Sequence, residues 1–214
     1  FFAKKKLISK KKNLNIFQGP KYIILNNLFS KKIKKTFPKK EIKILISSGG
    51  ADKKNFLLKM VKILEYYKNR HFKLFIAAGK GVSKKNPIFS LKKTKNLEIY
   101  YNVKNMKKLF DKVDLAVVSG GTTMFESVSS GKVTFVCQTY PHQNYATKYF
   151  EKKGVIFNIG PINNIRKKLI YRHLEKPRLL EKNYYEKFLK RTNLIDGFGL
   201  ERVNKIILKK IKNA

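Results

Sequence analysis

Apolar residues recur along the chain in short continuous runs, and between these runs the spacing changes to that of an amphipathic helix. Ile42 to Ser47, Phe72 to Ala78, Leu97 to Val103, Leu115 to Val118, Val133 to Gln138 and Val155 to Ile159 have the length and apolarity of strands buried on both faces. After the first run, Phe56, Met60, Ile63, Leu64 and Tyr67 fall on one helical face, with Asp52 as the expected N-cap. Met106 to Val113 predicts a short helix, and a further helix starts at Thr122 or Thr123. Another, opened by the loop Pro141-His142-Gln143, runs through Tyr149 to Lys153 and is stopped by Gly154. The remainder is helical in pattern, broken by Pro177 and by Asp196-Gly197-Phe198-Gly199.

Strands alternating with helices predict an α/β fold, a Rossmann-like parallel sheet covered on both faces. The pattern begins at Glu41, so residues 41–214 form the expected domain. Residues 1–40 are lysine-rich and interrupted by Gly19-Pro20 and Pro38, with one ordered-looking piece from Tyr22 to Phe29. They read as a linker or the tail of a preceding domain.

Two of the strands end in paired glycines, Gly49-Gly50 and Gly120-Gly121. Glycine lets the backbone approach a ligand closely, and the helix that follows offers unpaired N–H groups and a partial positive charge to an anion. Ligands of such sheets bind beyond the carboxyl ends of the strands, so the two turns can converge on one crevice that suits a phosphate. A tight strand-to-helix turn is the alternative explanation of either pair. Neither turn fits Gly-x4-Gly-Lys-Ser/Thr or Gly-x-Gly-x-x-Gly, which argues against ATPase and NAD-enzyme readings. Thr123 and Glu126 have the Ser/Thr-x-x-Glu spacing of a capping box, and that competes with a binding role for Glu126.

The chain has 214 residues, 43% of them hydrophobic, enough for one substantial core. Fifty Lys+Arg against 13 Asp+Glu give a formal charge of +37, which points toward nucleic acid or an anionic membrane. However, the basic residues are mostly Lys and spread along the whole chain, whereas recognition of bases and phosphates favours the planar guanidinium of Arg. A solvated lysine surface is the simpler reading, and a nucleic-acid partner is not expected. The single cysteine, Cys137, lies in an apolar run and has no partner for a disulfide or zinc site, so it reads as a buried hydrophobe in a reducing, cytoplasmic setting. No apolar stretch approaches the roughly 20 residues that span a bilayer. The opening Phe-Phe-Ala-Lys-Lys-Lys has no signal core, and the natural start is expected upstream. No cofactor and no metal is expected.

Five pieces together resemble a known family: Gly19-Pro20-x-Tyr22-x-x-Leu25-x-x-x-Phe29, Ile44-Leu-Ile-Ser-Ser-Gly-Gly-Ala-Asp52, Ser119-Gly-Gly-Thr-Thr-Met-Phe-Glu126, His142-Gln143 and Leu194-Ile-Asp-Gly-Phe-Gly-Leu-Glu-Arg-Val203. Over roughly residues 17–212 the chain resembles the C-terminal, nucleotide-binding half of GT-B-fold proteins. It is most similar to the UDP-sugar hydrolase of pseudaminic acid biosynthesis and related spore-coat polysaccharide proteins. The Gly-Gly-x4-Glu core is shared with nucleotide-sugar glycosyltransferases, so a family-28-like glycosyltransferase domain is the alternative, and a basic nucleic-acid-binding module a further one.

The resemblance implies that Glu126 accepts from the ribose hydroxyls while Gly120, Gly121, Thr122 and Thr123 receive the diphosphate of a UDP-sugar. Gly49 and Gly50 would line the other wall. Tyr101 to Val103 and Met106 would bracket the uracil, or else pack in the core. Gln143 would face the sugar, or else solvent. Two departures bear on the sugar: His142 stands where the family commonly has Asn, and Asn26 or Asn27 where it has Arg. The hydrolase group carries its catalytic histidine in an N-terminal domain that these residues do not contain, so a missing N-terminal half is an expected partner. His71 and His173 have no acidic partner at sensible spacing and read as surface residues, and His142 is the weak candidate for a general base.

Overall fold

The computed structural model describes residues 16–30, 41–66, 72–91, 94–175 and 181–212. Six strands, β1 (Ile42–Ser47), β2 (Phe72–Ala78), β3 (Leu97–Tyr101), β4 (Leu115–Ser119), β5 (Val133–Gln138) and β6 (Phe157–Pro161), form one sheet in the order β3-β2-β1-β4-β5-β6. Every pairing is parallel. Between them run α1 (Phe56–Glu65), α2 (Met106–Lys112), α3 (Thr122–Ser129) and α4 (Gln143–Lys152), followed by α5 (Lys167–Glu175), α6 (Lys182–Thr192) and α7 (Gly199–Lys212).

The near-continuous apolar strands are explained by two cores, one on each face. Successive side chains of a strand point to opposite faces, so Ile44 and Ile46 of β1 pack with α1, α5 and α6, while Leu45 packs with α2, α3 and α4. Phe56, Met60, Ile63 and Leu64 are buried as the periodicity predicts, joined by Leu57 and Val61. Tyr67, Pro177 and His71 lie outside the described residues. Each fully buried Ile, Leu or Phe contributes about 1.5–3 kcal/mol relative to leaving it in water.

The strand order reverses between β1 and β4: β2 and β3 lie on one side, β5 and β6 on the other. At such a switch point the loops leave the carboxyl edge in opposite directions and open a crevice. β1 and β4 are paired from Ile44↔Leu115 to Ser47↔Val118, which sets the two double-glycine turns side by side.

Several boundaries differ from the pattern. β6 starts at Phe157, not at Val155, because Gly154 turns the chain at φ 68 and Val155 and Ile156 bury their side chains beside α4 before pairing begins. β3 stops at Tyr101, since Asn102 adopts a left-handed conformation (φ 51) while its N–H still donates to Ala78 O at 2.8 Å. Asp52 is not itself the residue flanking α1; Asn55 is, at φ 51 with no side-chain cap. Asp52 nevertheless caps the helix from three residues back, accepting from the N–H of Phe56 (2.7 Å) and Leu57 (3.3 Å).

The segment expected within a linker packs on this domain. Ile23, Leu25 and Phe29 are buried in the core that α2, α3 and α4 cover. The Ser129 hydroxyl donates to Phe29 O at 3.0 Å, and the Phe29 and Phe110 rings meet edge to face at 6.2 Å. Residues 194–203 close over it. Arg202 donates to both carboxylate oxygens of Asp196 (2.7 and 2.6 Å) and to Lys21 O (3.0 Å), while Gly197 and Gly199 press bare against the backbones of Phe29 and Ile23. The first and last of the five sequence pieces thus form a single clasp.

Candidate functional site

The crevice is built from two turns that need glycine for different reasons. Gly49 sits at φ 82, where an L side chain is strained, and its open flank faces Thr123 and Ser119. Gly120 lies under α4: a Cβ there would stand 3.0 Å from both Gln143 Cβ and Thr147 Oγ1. Gly50 and Gly121 have space around them instead. Ser119, at the end of β4, donates to Ser48 O at 2.9 Å and ties the two turns together. Ser47 Oγ accepts from Gly49 N at 3.2 Å and donates to Ala77 O at 3.1 Å, which fixes the first turn to β2.

Between them lies a cavity of about 200 Å³ lined by Ser47, Gly49, Gly50, Ala77, Ala78, Gly79, Val103, Met106, Thr123 and Glu126. Six of the residues singled out from the sequence therefore share one space: Gly49, Gly50, Val103, Met106, Thr123 and Glu126. Val103 and Met106, the latter at the start of α2, supply apolar lining. Thr123 and Glu126 supply polar lining.

Gly121 flanks the start of α3 with no side-chain capping bond, so the Thr123–Glu126 capping box is not formed. Thr123 already lies inside the helix, and Glu126 is one turn too far along to serve its end. The N–H groups of the first turn, at Thr122 and Thr123, have no intrahelical acceptor, and the helix dipole adds partial positive charge there. Glu126 is half-buried and has no hydrogen bond or ion pair among the described residues. Burial alone raises its carboxyl above the ordinary glutamate range. A half-buried carboxylate facing a cavity without a donor is costly unless something arrives to donate to it.

Gly120, Gly121, Thr122, Gln143 and His142 do not line this cavity. Gln143 is buried, and its Oε1 accepts from Thr139 N (2.8 Å), Thr139 Oγ1 (3.2 Å) and Tyr140 N (3.3 Å). Both amide atoms lie by the turn, Oε1 3.3 Å from where a Cβ would lie on Gly120 and Nε2 4.0 Å from where one would lie on Gly121. His142 is exposed at the start of α4 and stacks on Tyr140, with ring centroids 5.7 Å apart and planes 12° apart. His173 is not a surface residue: it lies half-buried against Phe157 (4.4 Å) and Phe135 (5.9 Å), where desolvation, with the nearby Arg172, lowers its pKa. Cys137 is fully buried, and desolvation pushes its thiol up to about 12. No cluster of His, Cys, Asp and Glu suited to a metal occurs among the described residues, and no helix there is long and apolar enough to cross a membrane.

The sequence did not single out Ser47, Ala77, Ala78 or Gly79 as lining residues. The one signal was Gly79-Lys80-Gly81 at the end of β2. Gly81 N donates to Gly50 O at 2.9 Å, so this third glycine turn backs the first.

Comparison with known proteins gives the geometry a context. Residues 24–187 match the glycosyltransferase family 28 C-terminal domain. An uncharacterized protein of Methanocaldococcus jannaschii is 36% identical over 123 residues, 54% of this chain and 25% of its own length. The spore coat polysaccharide biosynthesis protein SpsG of Bacillus subtilis is 24% identical over 151 residues, 69% of this chain and 44% of its own. Among solved structures, MurG of Acinetobacter baumannii superimposes with a TM-score of 0.60 at 17% identity, covering 80% of this chain and 51% of that one. The chain thus spans about half or less of the length of these relatives.

Proposed function

Because the chain belongs to the glycosyltransferase family 28 C-terminal domain family, we propose that it is the donor-binding half of an enzyme that uses a UDP-sugar. The observation that carries this reading is Glu126: a half-buried carboxylate without a protein donor, on the wall of a cavity that Gly49, Gly50 and Thr123 also line. Its oxygens accept from the two ribose hydroxyls. Uracil packs between Val103 and Met106. The diphosphate lies along Gly49 and Gly50 toward Gly120, Gly121 and the N–H groups of Thr122 and Thr123, and the Gln143 amide is the nearest side chain to the sugar.

In the reaction an acceptor oxygen attacks the anomeric carbon, the bond from that carbon to the diphosphate oxygen breaks, and UDP leaves with the electron pair. The helix N-terminus stabilises the charge that develops on the departing diphosphate. We assign the acceptor and the general base to a preceding N-terminal domain, and take the nucleotide half as residues 41–214 together with the Tyr22 to Phe29 piece that packs into its core. The cytoplasm, reducing enough for a lone thiol, is the compartment this reading requires. Transfer to an acceptor is preferred because the family match and the MurG likeness favour it. Transfer to water, a hydrolase of a UDP-linked aminodeoxy sugar, is the second reading, favoured by the opening and closing motifs that meet in the Arg202 clasp.

Calorimetry with UDP, UMP and ADP tests the assignment. UDP should bind more tightly than either of the others. Equal affinity for UDP and ADP would remove the pyrimidine, and equal affinity for UDP and UMP would remove the diphosphate.

A further inference from the structure

We propose that Lys54 is a phosphate-positioning residue, its ammonium braced on the Tyr140 ring so that it spans the end of β4 and holds the distal phosphate against the Gly120-Gly121 turn. The proposal rests on the nucleotide reading above and adds a residue that reading does not use.

Lys54 lies in the loop after β1 and Tyr140 in the loop after β5, and β4 lies between those strands. All six strands are parallel, so both loops emerge at the same edge of the sheet. The Lys54 Nζ nevertheless stands 5.4 Å from the centroid of the Tyr140 ring. A side chain that joins these two loops crosses the end of β4, where Gly121 flanks the start of α3.

Tyr140 is itself fixed. Its N–H donates to Gln143 Oε1 at 3.3 Å, and its ring stacks on His142. The same Gln143 carries its Nε2 to the edge of Gly121. Beside this glycine lie an amide donor and the positive end of a helix, and the loop that carries Tyr140 brings the Lys54 ammonium to the same edge of the sheet.

Charge pairing within the protein does not account for Lys54. It is exposed and forms no ion pair among the described residues, whereas Lys73 and Lys107 pair with Glu98 and Asp111. The adjacent carboxylate, Asp52, is turned inward to the α1 N-terminus and the Asn86 amide. Contact with an aromatic face holds a cation in place yet leaves its N–H groups free to donate to an anion. An ammonium so placed also opposes the charge that grows on the diphosphate as it departs.

The test compares Lys54→Met with Lys53→Met, a neighbouring exposed lysine that removes the same net charge, using UDP and uridine as probes at fixed ionic strength. Lys54→Met should lower UDP affinity about tenfold or more, the usual effect of removing a hydrogen bond between charged groups, and leave uridine affinity within about twofold. Lys53→Met should leave both within about twofold, and Lys54→Arg should retain most of the UDP affinity. An unchanged UDP affinity in Lys54→Met, or an equal loss of UDP and uridine, would overturn the proposal. If wild-type protein binds uridine but gains nothing from the phosphates, the proposal fails while the nucleoside site stands. If it binds neither, the nucleotide reading fails with it.

Discussion

Gly79 and Gly49 are packed so closely that a Cβ on Gly79 would overlap the Gly49 carbonyl oxygen and stand 2.8 Å from Gly50 Cα. The loop after β2 therefore holds the shape of the turn after β1, and the Gly81 N–H bond to Gly50 O completes the brace. Gly79→Ala should force the two backbones apart at a cost of about 1–3 kcal/mol. Each kcal/mol lowers the melting temperature of a domain this size by about 2–4 °C. Calorimetric melting measures the first effect. UDP titration of the folded variant measures the second, a weaker affinity because Gly49 and Gly50 no longer line the cavity as they do in wild type.

Glu126→Ala should weaken UDP binding by about 1.5–3 kcal/mol, the usual worth of hydrogen bonds to a charged group, or about 10- to 150-fold. The free protein responds with the opposite sign. Burial raises the carboxyl's pKa in the folded state, so the folded protein binds that proton more tightly than the unfolded chain does. Stability contributed by Glu126 is then greatest at acid pH and is lost as pH rises from the ordinary glutamate range through the raised folded value. Glu126→Gln should accordingly melt above wild type at neutral pH, an advantage that disappears on acidification, while binding UDP less tightly. A variant that melts below wild type at neutral pH would instead mark Glu126 as a structural residue.

How much of this was legible in the chain depended on how local each feature was. The strand, glycine turn and helix from Leu115 to Glu126 declare themselves because all of their determinants are adjacent. The cavity's other wall was hidden, since Ala77, Ala78 and Gly79 reach it only through the sheet order, which no run of residues states. Glu126 shared its spacing with a capping box, and only the start of α3 at Thr122 separates the two readings. His173 looked exposed on its own helix, but Phe135 and Phe157 are register partners on β5 and β6 and together receive its ring. Val155 and Ile156 show the converse: their hydrophobicity reports burial, which a loop can satisfy as well as a strand.

Arg202 ties α7 to the first described segment through Asp196 and Lys21 O. Asp196 lies below its ordinary pKa chiefly because of that guanidinium, so the folded state's share of this pair is present above the usual aspartate range and fades as pH falls through the lowered value. The pair is about a third exposed, and its net worth is correspondingly modest. Arg202→Ala should therefore act locally. Hydrogen exchange should quicken at residues 19–30 and 194–203, with β1 and β4 protected as before. Uniform acceleration across the sheet would show that the clasp is part of the global unfolding unit.

A crystal structure of the protein with UDP shows whether Glu126 and the two glycine turns receive one nucleotide. The predicted result places the ribose hydroxyls within hydrogen-bonding distance of the Glu126 carboxylate, the uracil between Val103 and Met106, and the diphosphate at the N–H groups of Thr122 and Thr123. UDP bound elsewhere, or bound in the cavity with its ribose turned away from Glu126, would contradict it.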